Sequence, residues 1–472
     1  MFLELDRQKP NKIALVDDER QITYGELILR SNELFTKLGK RGFVFILADN
    51  SIDSYTCYYM CLNNGLVPLL LSNSIDSGLL RNLYNKYEPD FIFLPSKRRE
   101  ELELTPIVEV GGFTLAKTAY NGTLLNPLLS MLLPTSGSTG SPKLVRHSLE
   151  NLEFSAEKVG QVFHIDSNDA AIAFLPMYYT MGLSIINSHL RYGAKVVLTN
   201  RSLTERKFWE IIKEENITNL TGVPYTFEVL DKLRFSRMDL PSLKILSQGG
   251  GKLRLDLFKK FALLAEEKGI QFIATYGQTE GTARMAFLNP ERNLDKLGSI
   301  GKAIPGGNLG VINSNGEEIK ERNKLVEGEM IYKGKNVTLG YAEGKVDLMK
   351  GDEHHGYLKT GDIVRRDEEG YYFIIGRKKR FLKIYGLRIS LDETEFLVSN
   401  EFGVECLCQG TDDKLIVIVP KIIEQKSVEQ MDIRKFIENK TGIFHAAIEV
   451  NIVTEISRSN TGKILFSQTN IN

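Results

Sequence analysis

Over the first two thirds of the chain, short apolar runs alternate with longer segments whose apolar positions recur at helical spacing. The runs at 43–48, 66–71, 90–94, 171–175, 194–199, 243–247 and 271–276 read as buried strands. Segments 24–38, 203–215 and 253–268 carry the helical spacing between them. Strands that alternate with helices predict crossover units, hence an α/β fold of parallel sheets with helices on both faces. Ligands in such folds sit off the carboxyl ends of the strands. Stretches 135–143, 248–252 and 277–280 each follow a predicted strand, so one shared site is expected.

From about residue 290 the pattern turns into short, glycine-punctuated strands at 298–310, 327–340, 357–365 and 371–375. They predict a small antiparallel unit, a β-barrel. A basic cluster, Arg377-Lys378-Lys379-Arg380, leads into a tail that alternates helix (395–399, 432–440) with strand (415–419, 448–453). The expected division is an N-terminal core over 1–378, with α/β subdomains to about 290 and the barrel at about 291–378, then a small α+β domain over 379–472.

Composition changes this picture little. The 472 residues carry sixty basic and sixty acidic side chains, a formal net charge of zero, so nothing points to nucleic acid or an anionic membrane. The longest apolar runs are far short of a membrane span, and the first seven residues become charged too soon for a secretory signal. Four cysteines in a chain this long fit a reducing compartment, and cytoplasm is the expected address. Cys57 and Cys61 on a helix, and Cys406 and Cys408 on a strand, read as small core residues.

The chemistry gathers in the loops. Thr135-Ser136-Gly137-Ser138-Thr139-Gly140-Ser141-Pro142-Lys143 leaves its backbone N–H groups uncovered, so it can wrap a polyphosphate. Its hydroxyls add donors and Lys143 adds a charge. It is not a Walker loop: two residues separate Gly137 from Gly140, and proline precedes the lysine. Gly249-Gly250-Gly251 would let a flat ring such as a purine lie against the backbone. In Tyr276-Gly277-Gln278-Thr279-Glu280, the tyrosine can stack on a base, the threonine can bond a phosphate and the glutamate can hold Mg²⁺. Asp362, after the turn Thr360-Gly361, could accept both ribose hydroxyls, and Arg377 supplies a fixed cation. Gly462-Lys463 places a lysine on a glycine turn. Taken singly, each of these is also an ordinary turn or a solvated charge.

Taken together and in order, they resemble the adenylate-forming superfamily of acyl-CoA synthetases, peptide-synthetase adenylation domains and luciferases. Segments 22–27 and 64–68 resemble its N-terminal structural motifs, and Gly328-Glu329 with Gly340-Tyr341 its β-unit signature. Thr360-Gly361-Asp362, Gly376-Arg377 and Gly386-Leu387-Arg388-Ile389 resemble the ribose and hinge motifs, and Gly462-Lys463 the C-terminal lysine motif. The resemblance implies ATP and Mg²⁺ as cofactors and a two-step reaction, in which a carboxylic acid becomes acyl-AMP and a thiol then displaces AMP. It implies that Lys143 and its loop hold the β- and γ-phosphates, with Thr279 beside them and Glu280 on Mg²⁺. Tyr276 and Gly250 would border the adenine, with Gly249, Gly251, Gly277 and Gln278 also binding ATP or AMP; Asp362 and Arg377 would hold the ribose, and Lys463 would bridge the reacting carboxylate and α-phosphate. The C-terminal domain would act as a mobile lid that turns about Lys379, bringing Lys383 and Gly386 in to line the thiol tunnel.

Segment 175–183 resembles the Pro-x-x-His-x-x-Gly stretch of acyl- and aryl-CoA ligases, with Tyr179 at the histidine position. Amino-acid-activating members place an aspartate there, and none is present. An acyl or aryl acid without an α-amine is therefore expected, in a pocket of Tyr179, Gly182, Val223 and Gly249. Segment 383–395 has leucine where CoA ligases commonly have proline, nearer to domains that load carriers. CoA and the phosphopantetheine of a separate acyl or peptidyl carrier protein both stay open as acceptors. Ser457, where proline is common, bears on how the Lys463 loop approaches. The alternatives are a stand-alone amino-acid-activating enzyme and a non-catalytic nucleotide-binding scaffold; the presence of Lys143, Glu280, Asp362 and Lys463 weighs against the latter.

Overall fold

The computed structural model describes residues 1–134, 143–321, 323–378, 380–384, 387–411, 414–421 and 429–458. Two large mixed sheets form its bulk. A nine-stranded sheet runs in the order Lys302–Ala303, Ala286–Leu288, Gln271–Tyr276, Ile245–Gln248, Asn219–Gly222, Ala170–Ala173, Lys195–Leu198, Ile13–Val16, Gln21–Thr23. From Gln271–Tyr276 through Ile13–Val16 the pairing is parallel, and the strands at both ends are antiparallel. An eight-stranded sheet runs Gly340–Ala342, Leu144–His147, Met131–Pro134, Val67–Ser72, Phe43–Ala48, Phe91–Pro95, Phe113–Lys117, Thr105–Val110. Its parallel pairs are central, with antiparallel edges on each side.

The strand Phe43–Ala48 shows why these runs are apolar throughout. Val44, Ile46 and Ala48 enter one core cluster with Tyr55, Tyr58 and Met60 of the helix Ile52–Asn63. Phe43, Phe45 and Leu47 enter another with Leu80 and Leu83 of the helix Ser77–Tyr87. Alternating side chains thus meet helices on opposite faces, and neither face can afford polarity. Helix ends follow local chemistry as well. Tyr24–Leu38 opens on a capping box between Thr23 and Glu26 and closes on Gly39 in the left-handed region. No described helix is long and apolar enough to cross a membrane.

The α/β expectation therefore holds, with most element ends displaced by one to three residues; the 203–215 helix, for instance, runs Arg206–Glu214. The glycine-punctuated region differs more. Segment 327–340 is not one strand: Val326–Lys333 stays in a four-stranded antiparallel sheet, whereas Gly340–Ala342 crosses to pair with Leu144–His147. In place of a barrel, the order Asn308–Ile312, Val326–Lys333, Tyr357–Arg366, Tyr372–Arg377 is open in its backbone bonding among the described residues. One end bridges from Tyr372 to Gly301, tying the small sheet to the large one instead of closing it. The tail forms the helices Leu391–Phe402 and Gln430–Thr441 against the sheet Leu407–Thr411, Lys414–Pro420, Ile448–Val453, around its own apolar cluster. Cys57, Cys61, Cys406 and Cys408 are all buried free thiols.

Two buried histidines set an acid limit on this core. His147 faces the Thr282 hydroxyl at 3.2 Å, and His189 lies between the Ile185 carbonyl at 2.8 Å and the Asn219 amide at 2.9 Å. Burial pulls His147 down to about 3 and His189 down to about 4. The folded chain keeps both neutral where the unfolded chain protonates them, from about pH 6.5 downward. Stability is then full above that pH and falls as acid is added, by about 1.4 kcal/mol per pH unit per histidine. Urea unfolding between about pH 6 and about pH 4.5 should show a slope shallower by that amount in His147→Gln. Parallel slopes would mean that His147 is protonated in the fold.

Candidate active site

The loop after the strand Gln271–Tyr276 is the centre of the site. It leaves the sheet at Gly277 and returns when the Met285 N–H donates to the Tyr276 carbonyl at 2.8 Å. Glycine is required at 277 because a Cβ there would stand 1.5 Å from the Ala283 carbonyl oxygen. Thr282 and Ala283 both hold positive φ, at 47° and 78°, a strained backbone of the kind kept at functional loops. Between them and Gly277, the short turn Thr279–Gly281 lifts Glu280 to the rim.

Asp362 faces this loop from the small sheet. It is 1% exposed, and its backbone pairs with that of Arg377 on the neighbouring strand. Its Oδ2 accepts from the Tyr276 hydroxyl and, at 2.9 Å, from Gln278 Nε2; its Oδ1 accepts from Arg377 Nε at 3.1 Å. Gln278 Nε2 also reaches the Thr360 carbonyl at 2.9 Å. Burial raises the Asp362 carboxyl above its usual range, against the opposing pull of Arg377 and the Tyr276 and Gln278 donors. Tyr276 is itself 8% exposed and packs among Met285, Ala286 and Leu309, so its hydroxyl fixes the carboxylate while its ring lies mostly in the core.

A second network links Glu280 to the end of the 135–143 loop. The Tyr341 hydroxyl donates to Glu280 Oε1 at 2.8 Å. Lys143 pairs with Glu343 and lies 5.9 Å from the centre of the Tyr341 ring. Tyr341 is held there by Arg146 of the strand Leu144–His147, a guanidinium wholly buried against the carbonyls of Leu339 and Tyr341. Tyr341 belongs to a Gly-Tyr pair that sequence marks only as a structural signature, and Arg146 reads there as the end of a loop. Neither shows its role until residues two hundred positions apart are brought together.

The glycine loop and the expected acid pocket also meet. A Cβ on Gly249 would stand 2.5 Å from Thr275 Oγ1, and one on Gly250, whose φ is 77°, 2.7 Å from the Tyr179 hydroxyl and 3.2 Å from Val223. Tyr179 begins the helix Thr180–Arg191 and clusters with Leu175, Met181, Ile185 and Val223. At Gly182, on the same helix, a Cβ would meet the Pro176 carbonyl oxygen at 2.3 Å, so close packing there requires glycine. Sequence misses one neighbour altogether: Arg284, 2% exposed, donates from Nη1 to Ser184 Oγ at 2.9 Å and stacks its guanidinium 4.9 Å from the Phe163 ring centre. A charged residue just after a polar loop looks solvated in sequence. Thr135, Ser136, Gly137, Ser138, Thr139, Gly140, Lys379, Gly386 and Lys463 lie outside the described residues, and Lys383 is on the strand Phe381–Ile384.

No cluster of three metal-ligating side chains occurs among the described residues. Glu280 offers a single carboxylate at the rim, which suits Mg²⁺, an ion usually held by one or two carboxylates with the rest of its shell from substrate phosphates and water.

The description "AMP-binding enzyme" is that of the family model matching residues 2–342. A 2-succinylbenzoate–CoA ligase of Oceanobacillus iheyensis is 26% identical over 97% of this chain and 95% of its own. A ligase of the same name from Bacillus subtilis is 24% identical over 97% and 95%. Among solved structures, the O-succinylbenzoate coenzyme A synthetase of Bacillus subtilis in complex with ATP and magnesium superposes with a TM-score of 0.79 at 22% identity, covering 99% of this chain and 98% of that one. ATP-bound MatB from Rhodopseudomonas palustris does so with 0.80 at 20% identity and the same coverage.

Proposed function

The chain belongs to the AMP-binding enzyme family of adenylate-forming proteins, and from that premise we propose that it joins a carboxylic acid to coenzyme A at the expense of ATP. A carboxylate oxygen attacks the α-phosphorus and pyrophosphate leaves; the CoA sulfur then attacks the acyl carbon and AMP leaves. The observation that carries this reading is the buried Asp362 carboxylate, oriented by Tyr276, Gln278 and Arg377 beside the Glu280–Tyr341–Lys143 network. One carboxylate is fixed for a sugar, and the other, Glu280, is oriented at the rim by the Tyr341 hydroxyl beside Lys143, a layout suited to a nucleoside triphosphate.

Among the described residues Asp362 Oδ1 accepts from Arg377 Nε, and its remaining lone pair is the one we assign to a ribose hydroxyl. The adenine lies along Gly249–251, where side chains would collide with Tyr179, Thr275 and Pro224. Lys143, Thr279 and the 135–140 loop receive the β- and γ-phosphates, and Glu280 holds Mg²⁺, which neutralises phosphate charge when bound. The protein positions and stabilises charge, with little covalent work of its own. Lys463 bridges the two reacting anions. We divide the chain at 378/379, with Lys379 as hinge and Lys383 and Gly386 lining the thiol tunnel after rotation. CoA is the acceptor that the curated relatives' names support; the carrier-protein alternative has no such support. A compartment rich in ATP and CoA, the cytoplasm, is where the reaction belongs.

The acid lacks an α-amine. Tyr179, Met181 and Val223 belong to an apolar cluster, which would leave an ammonium costly to bury, and Arg284 is a buried cation bonded to the same helix. Acid-dependent ATP–pyrophosphate exchange tests the reading, with pools of aryl, keto, fatty and amino acids and 2-succinylbenzoate among them. Exchange with a non-amino pool, followed by CoA-dependent AMP release, is the expected result. Exchange with amino acids alone overturns the pocket assignment, and ADP formation overturns the reaction class. Tyr341→Phe, which removes the hydroxyl that orients Glu280, should raise the half-saturating Mg²⁺ concentration about tenfold. An unchanged Mg²⁺ titration would separate Glu280 from the metal.

A further inference from the structure

Arg458 belongs to the tail and also binds outside it. It follows the strand Ile448–Val453, and its Nη2 pairs with Glu405 of the same unit. The guanidinium then reaches across: it lies 4.8 Å from the ring centre of Tyr225 and 3.9 Å from a Glu228 oxygen. Both residues are on the helix Pro224–Lys232 of the large unit. At 17% exposed, the Arg458 side chain is shielded from the water and salt that weaken surface ion pairs. The two carboxylates it faces depend on it. Burial and the nearby Glu405 raise the Glu228 carboxyl, and Arg458 pulls the other way. Without that cation two acids would confront each other across the seam, and an attraction would become a repulsion.

The helix it meets is also a wall of the glycine loop. A Cβ on Gly250 would stand 3.2 Å from Val223, and one on Gly251 3.1 Å from Pro224, the first residue of that helix. Tyr225 comes next, 44% exposed, beneath the Arg458 guanidinium. On the other side of the same glycines, Lys252 sets its Nζ 3.5 Å from the ring centre of Phe396 in the tail helix Leu391–Phe402. Lys252 also donates to the Ile374 carbonyl at 3.1 Å. The tail thus grips the large unit on both flanks of Gly249–251. Lys463 stands five residues beyond Arg458, so fixing Arg458 confines Lys463 to within about 17 Å of it, the span of that many extended residues.

We propose that Arg458 is a positioning residue for the adenylating half-reaction: clasped between Glu405 and the Tyr225–Glu228 face, it docks the tail so that Lys463 meets the acid and the α-phosphate. The proposal rests on the two-step, acid-activating reading above. Thioester formation, in which Lys463 has no part, does not use the Arg458 contact.

The test measures the two half-reactions separately, with 2-succinylbenzoate or, failing that, the pooled acid that supports pyrophosphate exchange. In Arg458→Met, rapid-quench formation of acyl-AMP should slow at least about tenfold. Transfer from the preformed acyl-adenylate to CoA should stay within about threefold of wild type. Arg458→Lys, which keeps the charge but not the flat stacking surface, should fall between. Adding Glu228→Gln to Arg458→Met removes the repulsion between acids and should restore at least about threefold in the first step, a rescue that a merely structural arginine would not give. Tyr225→Leu alters only the large unit and should lose about three- to tenfold in the first step alone, so the matter is decided even if the Arg458 variants fail to fold. A first-step loss under about threefold, or equal loss in both steps, overturns this proposal and leaves acid activation standing. Exchange with no acid at all in the wild type overturns both.

Discussion

Replacing Lys463 by alanine is expected to slow single-turnover adenylate formation by about 10²–10³-fold, the scale of one transition-state donor. The first half-reaction brings a carboxylate onto a phosphate, and charge accumulates between two anions. Two cations assigned to the nucleotide in the proposed function are engaged: Lys143 pairs with Glu343, and Arg377 with Asp362. Neither is free to follow the bond as it forms. In the proposed reaction Lys463, from the C-terminal part of the chain, supplies that charge. Upstream of it, Arg458 pairs with Glu405 within the tail and lies 4.8 Å from the Tyr225 ring centre in the large unit. Rapid-quench measurement of acyl-AMP with saturating Mg-ATP is the direct check. A loss smaller than about threefold would remove Lys463 from the reaction.

Arg146→Met should destabilise the fold by about 3–5 kcal/mol, the cost of breaking a buried charged network from one side. Its Nε donates to the Tyr341 carbonyl at 3.0 Å and Nη2 to that of Leu339 at 2.9 Å. Nη1 donates to the carbonyls of Lys350 and Gly351 at 2.5 and 3.1 Å, and Nη2 pairs with Glu353 at 2.5 Å. A single side chain thereby fastens 339–353 to the strand Leu144–His147. Methionine leaves all those acceptors bare. Arg146→Lys should recover little, because three donors on one nitrogen cannot span acceptors set so far apart. Urea unfolding checks the magnitude, and a loss under about 1 kcal/mol would show that water replaces the guanidinium without cost.

Arg146 also marks where sequence reading stops. The central strands are legible because both faces meet helices, so every residue of 43–48 must be apolar and the run stands out. Gly249–251, Tyr276, Glu280, Asp362 and Arg377 are legible because close backbone approach and fixed charge need particular residue types in order. The crossing of Gly340–Ala342 to a different sheet is not legible, since a three-residue strand carries no period and its register depends on a partner about two hundred positions earlier. Arg146 and Arg284 fail for a related reason. Burial of a cation depends on acceptors or apolar neighbours that the chain brings up only on folding, and in sequence each is one more basic residue near a polar loop.

The helix Leu255–Lys268 opens on Arg254, which provides no side-chain cap. The acceptor comes from far along the chain: Asn400 Oδ1 takes the Leu255 N–H at 3.3 Å, while Arg254 Nη1 donates to the Gly403 carbonyl at 3.1 Å. The helix Leu391–Phe402 thus serves as the borrowed end-piece of a helix whose Leu257 and Phe258 lie in a core cluster of the large unit. Seating the tail and tightening that turn are one equilibrium viewed from two sides. If the tail moved away, the Leu255 amide would return to water, and the large unit would lose that restraint at its edge.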